Sequence, residues 1–351
     1  MAQNIVFSND IEGTLDNVLA AKSFNCIAVI VDDNTARLVL PTLHSSALEK
    51  AHVITIGAGD VNKNLDTLAS VWTSLEQMGA TRSSLVVNLG GGVVTDLGGF
   101  AAATYKRGIP FINCPTTLLT AVDAAVGGKT GINFNGLKNE VGCFQEAIDV
   151  IISTRFFTTL PERELKSGYA EMLKHGMLSG HDDYERLLQF DFTAVDYDRL
   201  LDLLKTSVLI KEKIVRADPH EHGLRRALNL GHTVGHAFES LALRRGKPVP
   251  HGYAVAWGLV AEMVLSHMQL GFAASDLHQL ARFVSDNYGA FYITCDDYDE
   301  LLDLMHHDKK SQHGEINCSL LSACGDVKVG NTIADDDMKV ALDIYRDLLG
   351  I

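Results

Sequence analysis

Residues Ser84 to Phe100 read SLVVNLGGGVVTDLGGF, and the order of residue types in this stretch decides the fold. SLVVN is an apolar run of strand length. Three consecutive glycines follow, Gly90 to Gly92, and helical spacing resumes from Asp96 to Ala103. A strand that turns on glycine into a helix is the βα unit of a parallel sheet. Glycine lets backbone approach a phosphate, and a helix N-terminus offers unpaired N–H groups. The stretch is not a full GxGxxG pattern, so a phosphate cradle and a plain tight turn both stay open here.

Other runs repeat the theme. Cys26 to Asp32 is apolar and ends on an acid, His52 to Ile56 and Phe111 to Cys114 are further strand candidates, and Asn64 to Met78 has helical spacing. Such alternation predicts a parallel sheet with ligands at the carboxyl ends of its strands. Asp32, at one of those ends, could hydrogen-bond a ribose hydroxyl; without the glycine stretch a helix cap or solvated loop would be the preferred reading. After about residue 155 long helical patterns take over: 162–179, 196–216, 226–243, 253–270 and 274–287. Pro161 fits the first turn of the helix that opens this half. The expected division is 1–155 and 156–351.

Composition narrows the classes. The 351 residues are 46% hydrophobic and 21% charged, which suits packed cores and excludes wholesale disorder. A net charge of −14 argues against a general nucleic-acid binder but permits a local basic pocket for a small anion. Six cysteines without CxxC spacing fit free thiols in a reducing cytoplasm. No signal peptide is expected at MAQNIVFSND, and no apolar run reaches the ~20 residues of a membrane span.

The second half carries the chemistry. Leu228 to Glu239 reads LNLGHTVGHAFE and spaces His232 and His236 four apart, with Asn229 three before the first. A continuous helix would place all three near one face. AEMLKHG supplies Glu171, Lys174 and His175, and PHGYAVAWG supplies His251. One carboxylate and two imidazoles make a plausible open zinc site. The plainer alternatives are a polar helix face for the histidines and a surface ion pair for Glu171 and Lys174. HTVGH lacks the glutamate of HExxH, since Thr233 stands there, so a zinc protease is disfavoured.

In the first half, Cys114 to Asn139 concentrates Thr116, Thr117, Asp123, Lys129, Lys138 and Asn139 around Gly127 and Gly128. Hydroxyls, glycine backbone and lysines suit an anion. GGKT is not a Walker A loop, because Ala124 stands where the upstream glycine is required.

Taken together, GGGVVTD, PTTLLTAVDAAVGGKTGIN, GLKN, LPERELKSGYAEMLKHG, GLRRALNLGHTVGHA, HGYAVA and DKK resemble the 3-dehydroquinate synthase family of the sugar-phosphate cyclases. The resemblance implies a Rossmann-like α/β nucleotide-binding domain, a helical (all-α) metal- and substrate-binding domain, and a homodimer. It implies a divalent metal, Zn2+ or Co2+, on Glu171, His232 and His251. Catalytic and substrate contacts implied are Asp123, Lys129, Asn139, Lys174, Lys211, Arg225, Asn229, His236 and Lys309 or Lys310. Arg107 would serve the neighbouring subunit's site. NAD contacts implied are Asp32, Asp60, Lys63, Gly91, Gly92, Val93, Asp96, Thr116, Thr117, Lys129, Lys138 and Thr158. The implied reaction takes a seven-carbon heptulosonate phosphate to a carbocycle and phosphate, by transient oxidation with NAD, elimination, re-reduction and aldol closure. The chain departs from the family pattern at Thr95, at residues 56–60, at Glu146 and at Tyr253.

Overall fold

The computed structural model describes residues 3–218, 223–307 and 315–351. Its strands are β1 (Asn4–Phe7), β2 (Ile27–Asp32), β3 (His52–Ile56), β4 (Leu85–Gly90), β5 (Phe111–Pro115), β6 (Lys129–Phe134), β7 (Leu137–Phe144), β8 (Asp149–Ile152), β9 (Ile316–Ala323) and β10 (Asp326–Ile333). Its α-helices are α1 (Ile11–Ala20), α2 (Asp33–Leu38), α3 (Leu65–Gln77), α4 (Gly92–Thr104), α5 (Glu162–Ser179), α6 (His181–Leu188), α7 (Tyr197–Ala217), α8 (His232–Arg244), α9 (His251–Leu270), α10 (Ala274–Tyr288), α11 (Tyr298–His306) and α12 (Asp335–Leu349).

The chain divides into two compact units. Unit one takes Met1–Pro161 and Tyr197–Val208; unit two takes Glu162–Asp196 and Leu209–Ile351. The first half of α7 therefore packs with unit one, an exchange that a single cut in the sequence does not express.

Unit one is built on a six-stranded parallel sheet in the order β1-β8-β5-β4-β2-β3. Every residue of β4 is buried, as a central strand covered on both faces requires. Gly90 pairs in register with Pro115 and Ile30 with Asn88, so β2, β4 and β5 end along one edge. Helix α3 starts where Asn64 caps it by accepting from Thr67 N at 3.0 Å, and it buries Leu68, Val71 and Leu75 at helical spacing. Antiparallel β6 and β7 form a separate hairpin.

Unit two is mainly helical. It also carries the antiparallel β9–β10 hairpin, which the helical expectation did not include. Helix α9 runs through its middle, with every residue from Ala254 to Ser266 buried. Among the described residues, no helix is long and apolar enough to cross a membrane. All six cysteines are free.

Candidate functional site

In unit two, Glu171 projects from the buried middle of α5, His232 opens α8 and His251 opens α9. One ligand atom from each lies within 4.8 Å of the others. Glu171 Oε1 stands 3.4 Å from His232 Nε2 and 3.6 Å from His251 Nε2. That oxygen is buried and has no hydrogen-bond partner. The other carboxylate oxygen accepts from the Lys174 ammonium, and this pair is buried rather than on the surface. Burial alone would raise the Glu171 carboxyl, but Lys174 and His232 outweigh it and hold it well below the usual carboxylate range.

Both imidazoles are oriented from behind. His232 Nδ1 lies 3.1 Å from Leu230 O, and His251 Nδ1 lies 3.0 Å from Glu239 Oε2. Donation through Nδ1–H leaves each Nε2 lone pair facing Glu171, as metal-binding histidines require. Burial opposes charge on His251, but Glu171 and Glu239 push its pKa up to about 9, so without a metal this ring holds a proton on Nε2 as well, and a divalent cation would take that proton's place between His251 and Glu171. A buried acceptor without a partner, flanked by two aligned imidazole nitrogens, fits a divalent metal.

Sequence periodicity missed the device that holds His232. Gly231 has φ +77°, the left-handed region that favours glycine, and it breaks the helix that was expected to include Asn229. Asn229 instead ends a short 3₁₀ turn, Leu224–Asn229, while His232 and His236 stay on α8 with ring centroids 5.3 Å apart. The exposed N–H groups of this break are met by Glu262, fully buried on α9. Its Oε2 accepts from Gly231 N at 2.7 Å and its Oε1 from Val234 N at 3.2 Å. A buried carboxylate thus caps α8 directly beneath His232. Replacing Glu262 with Gln turns an amide N–H toward a backbone N–H. We expect zinc affinity to fall about 10- to 100-fold, as for other groups that orient metal ligands. Competition against a chromogenic chelator measures it; an unchanged affinity would reduce Glu262 to a packing role.

The remaining expected contacts of unit two are buried polar side chains. Lys174 is 2% exposed, while Lys211 and Arg225 are each 5% exposed. Asp218 fixes the Arg225 turn by accepting from Gly223 N at 2.7 Å and Arg225 N at 3.0 Å. His236 is part-buried, its ring centroid 5.9 Å from that of His251. Lys309 and Lys310 lie outside the described residues.

In unit one the glycine turn opens α4 with Gly91 as its cap residue, and no side chain caps that end. Val93 and Asp96 follow on the same helix. Thr117 stands beside the turn, since a Cβ on Gly91 would sit 3.3 Å from Thr117 Cγ2, and Thr117 Oγ1 meets Thr120 Oγ1 at 2.7 Å. Thr116 N donates to Gly90 O at 3.0 Å. These open N–H groups and hydroxyls suit a dinucleotide pyrophosphate. Buried Lys63 bonds both Asp96, at 2.5 Å, and Asn139 Oδ1. Asn133 joins Asp60 to this cluster at 3.0 Å. The residues expected at NAD and at substrate therefore share one network here.

The other expected residues of unit one have the following places. Asp32 caps α2 by accepting from Thr35 N at 2.8 Å. Thr158 Oγ1 donates to Arg155 O at 2.8 Å. Lys129 begins β6, Lys138 lies on β7, and Asp123 sits in a π-turn, Thr120–Ala124. Arg107 is exposed, at φ +66°.

Known proteins resemble this chain in sequence and in fold. Residues 53–167 match the family described as 3-dehydroquinate synthase N-terminal, and residues 168–311 match 3-dehydroquinate synthase C-terminal. The chain is 46% identical over 350 residues to a 3-dehydroquinate synthase of Parabacteroides distasonis, covering 99% of both. It is 37% identical to that of Halalkalibacterium halodurans, covering 99% of this chain and 94% of that one. A 2-epi-5-epi-valiolone synthase of Streptomyces hygroscopicus, solved with NAD+ and Zn2+, shares the fold at TM-score 0.85 and 24% identity, covering 99% and 97% of the two chains. A 2-deoxy-scyllo-inosose synthase, solved with carbaglucose-6-phosphate, NAD+ and Co2+, does so at 0.84 and 22%, covering 98% and 96%.

Proposed function

The chain belongs to the 3-dehydroquinate synthase family, and from that premise we propose that it is an enzyme converting 3-deoxy-D-arabino-heptulosonate 7-phosphate to 3-dehydroquinate and phosphate. The observation that carries the metal part is the orphaned Glu171 Oε1 between two aligned imidazoles. Glu171, His232 and His251 would hold Zn2+ or Co2+, and the glycine turn with Thr116, Thr117, Asp96 and Lys63 would hold NAD. When bound, the metal supplies acidity to a substrate hydroxyl, and NAD supplies a hydride acceptor that is restored within the turnover.

The chain's own residues then orient and neutralise one anionic substrate through several steps. Arg225, buried and held by the Asp218 turn, is assigned to the substrate carboxylate through its planar fork. Lys174, held on Glu171, keeps positive charge beside the ligand set. His236 is assigned to the phosphate region. Asp123, Lys129, Asn139, Lys211 and Asn229 complete the proposed contacts. Lys309 and Lys310 are proposed on family resemblance alone.

We further infer a cytoplasmic homodimer in which Arg107 serves the neighbouring site. Two observations support the dimer. Phe134, Leu137, Val141 and Phe144 are exposed on the β6–β7 hairpin, an apolar group suited to burial against a second copy. Lys106 and Arg107 are both left-handed, at φ +49° and +66°, a conformation that costs on the order of 1–3 kcal/mol per residue and clusters at functional sites.

The test is phosphate release by purified protein given Zn2+ and NAD+, with the heptulosonate phosphate and separately with sedoheptulose 7-phosphate. Release from the first alone, without accumulating NADH, is expected. Release from the second alone would move the chain to a cyclase of a substrate that lacks the carboxylate, and net NADH would mean polyol oxidation.

A further inference from the structure

Unit two holds a second group of side chains of metal-ligating type, separate from Glu171, His232 and His251. His181 opens α6, Asp276 lies in the first turn of α10, and Cys324 sits at the tip of the β9–β10 hairpin. One ligand atom from each lies within 4.8 Å of the others.

Two of the three side chains are supported at their outer atoms. His181 Nε2 lies 3.2 Å from Glu185 Oε1, one helical turn along α6. Ser275 Oγ donates to Asp276 Oδ1 at 3.2 Å. On its other side His181 Nδ1 faces Asp276 Oδ2 at 3.5 Å. In the tautomer that donates Nε2–H to Glu185, Nδ1 offers its lone pair on the Asp276 side, where a cation would be ligated by both atoms. A carboxylate behind a ligating imidazole is also the pattern of Glu239 and His251.

The backbones that carry these side chains are tied together by hydrogen bonds of their own. Gly325 N, next to Cys324, donates to Met177 O of α5 at 2.8 Å. The Tyr184 hydroxyl of α6 donates to Asp276 O at 2.9 Å. The first bond anchors the hairpin tip to the end of α5, just before α6, and the second ties α6 to α10. One imidazole, one thiolate and one carboxylate form a zinc-type donor set, whose two negative charges balance a dication and whose fourth position suits water.

We propose that His181, Asp276 and Cys324 bind a second divalent cation of the zinc class, which pins the β9–β10 hairpin to α6 and α10. On binding, the Cys324 thiol loses its proton to solvent and the sulfur becomes a thiolate ligand. The site does not depend on the proposed reaction.

Chelator-stripped, full-length protein is titrated with Co2+. Thiolate bound to cobalt absorbs in the near ultraviolet, and the Glu171 site has no sulfur to contribute. Wild type is expected to take up two equivalents and to show the thiolate band. Cys324→Ser should take up one and lose the band. His232→Ala should take up one and keep the band, which separates failure of this site from failure of the Glu171 site. If Cys324→Ser does not fold, Asp276→Asn should lose the same equivalent. A single equivalent without a thiolate band in wild type would overturn the proposal, leaving His181 as an imidazolium between two carboxylates. A band that survives Cys324→Ser would overturn it as well.

Discussion

Alanine at His232 is expected to remove one equivalent of metal and nearly all phosphate release, while the protein stays folded. Metal catalysis of this kind contributes several kcal/mol of charge stabilisation, so turnover should drop by about a thousand-fold or more. Folding should survive because the surroundings do not rely on the imidazole. Glu262 still accepts from Gly231 and Val234, and Glu171 keeps its bond to Lys174. Metal analysis beside circular dichroism and the phosphate assay gives the three readings together. Full turnover with that equivalent missing would remove Glu171, His232 and His251 from the chemistry.

The second large effect concerns Arg225→Lys. Charge is retained, but the planar fork is lost, and lysine cannot make two parallel bonds to one carboxylate. One charge-assisted hydrogen bond is worth roughly 1.5–3 kcal/mol, so kcat/KM should fall about 10- to 100-fold. An exposed arginine would not show this. Arg225 is 5% exposed, and its backbone is fixed by Asp218. Stopped assays over a range of substrate concentrations decide it, and unchanged kinetics would take Arg225 out of the pocket.

Four strands of the parallel sheet, β2, β3, β4 and β5, were legible as apolar runs, whereas the four-residue β1 and β8 were too short to read. His52–Ile56 and α5 fall where the sequence put them, the latter between Pro161 and Gly180. The β6–β7 and β9–β10 hairpins were not read, because β7 and β10 are largely exposed and carry little apolar alternation. Helical spacing could not reveal the left-handed Gly231, so Asn229 was drawn onto a helix that begins three residues later. The gathering of Glu171, His232 and His251 came from family resemblance, since no local spacing encodes a contact between three helices. Glu262 left one usable signal. It is a lone acid within Gly258–Leu265, GLVAEMVL, where a carboxylate needs buried donors. Glu239 left none, because an acid late in α8 reads like any solvated one.

The crossing of α9 with its neighbours bears on whether the three ligands could be moved to another scaffold. A Cβ on Gly258 would lie 2.1 Å from Gly231 O, and one on Gly252 would lie 1.8 Å from Ser167 O. Ordinary helix pairs keep their axes about 8–10 Å apart. A designer who grafted one glutamate and two histidines onto such a bundle, without these glycines, would set the nitrogens too wide to share an ion. The transferable unit is the glycine-lined crossing with its buried glutamate, and the three ligands are its visible part.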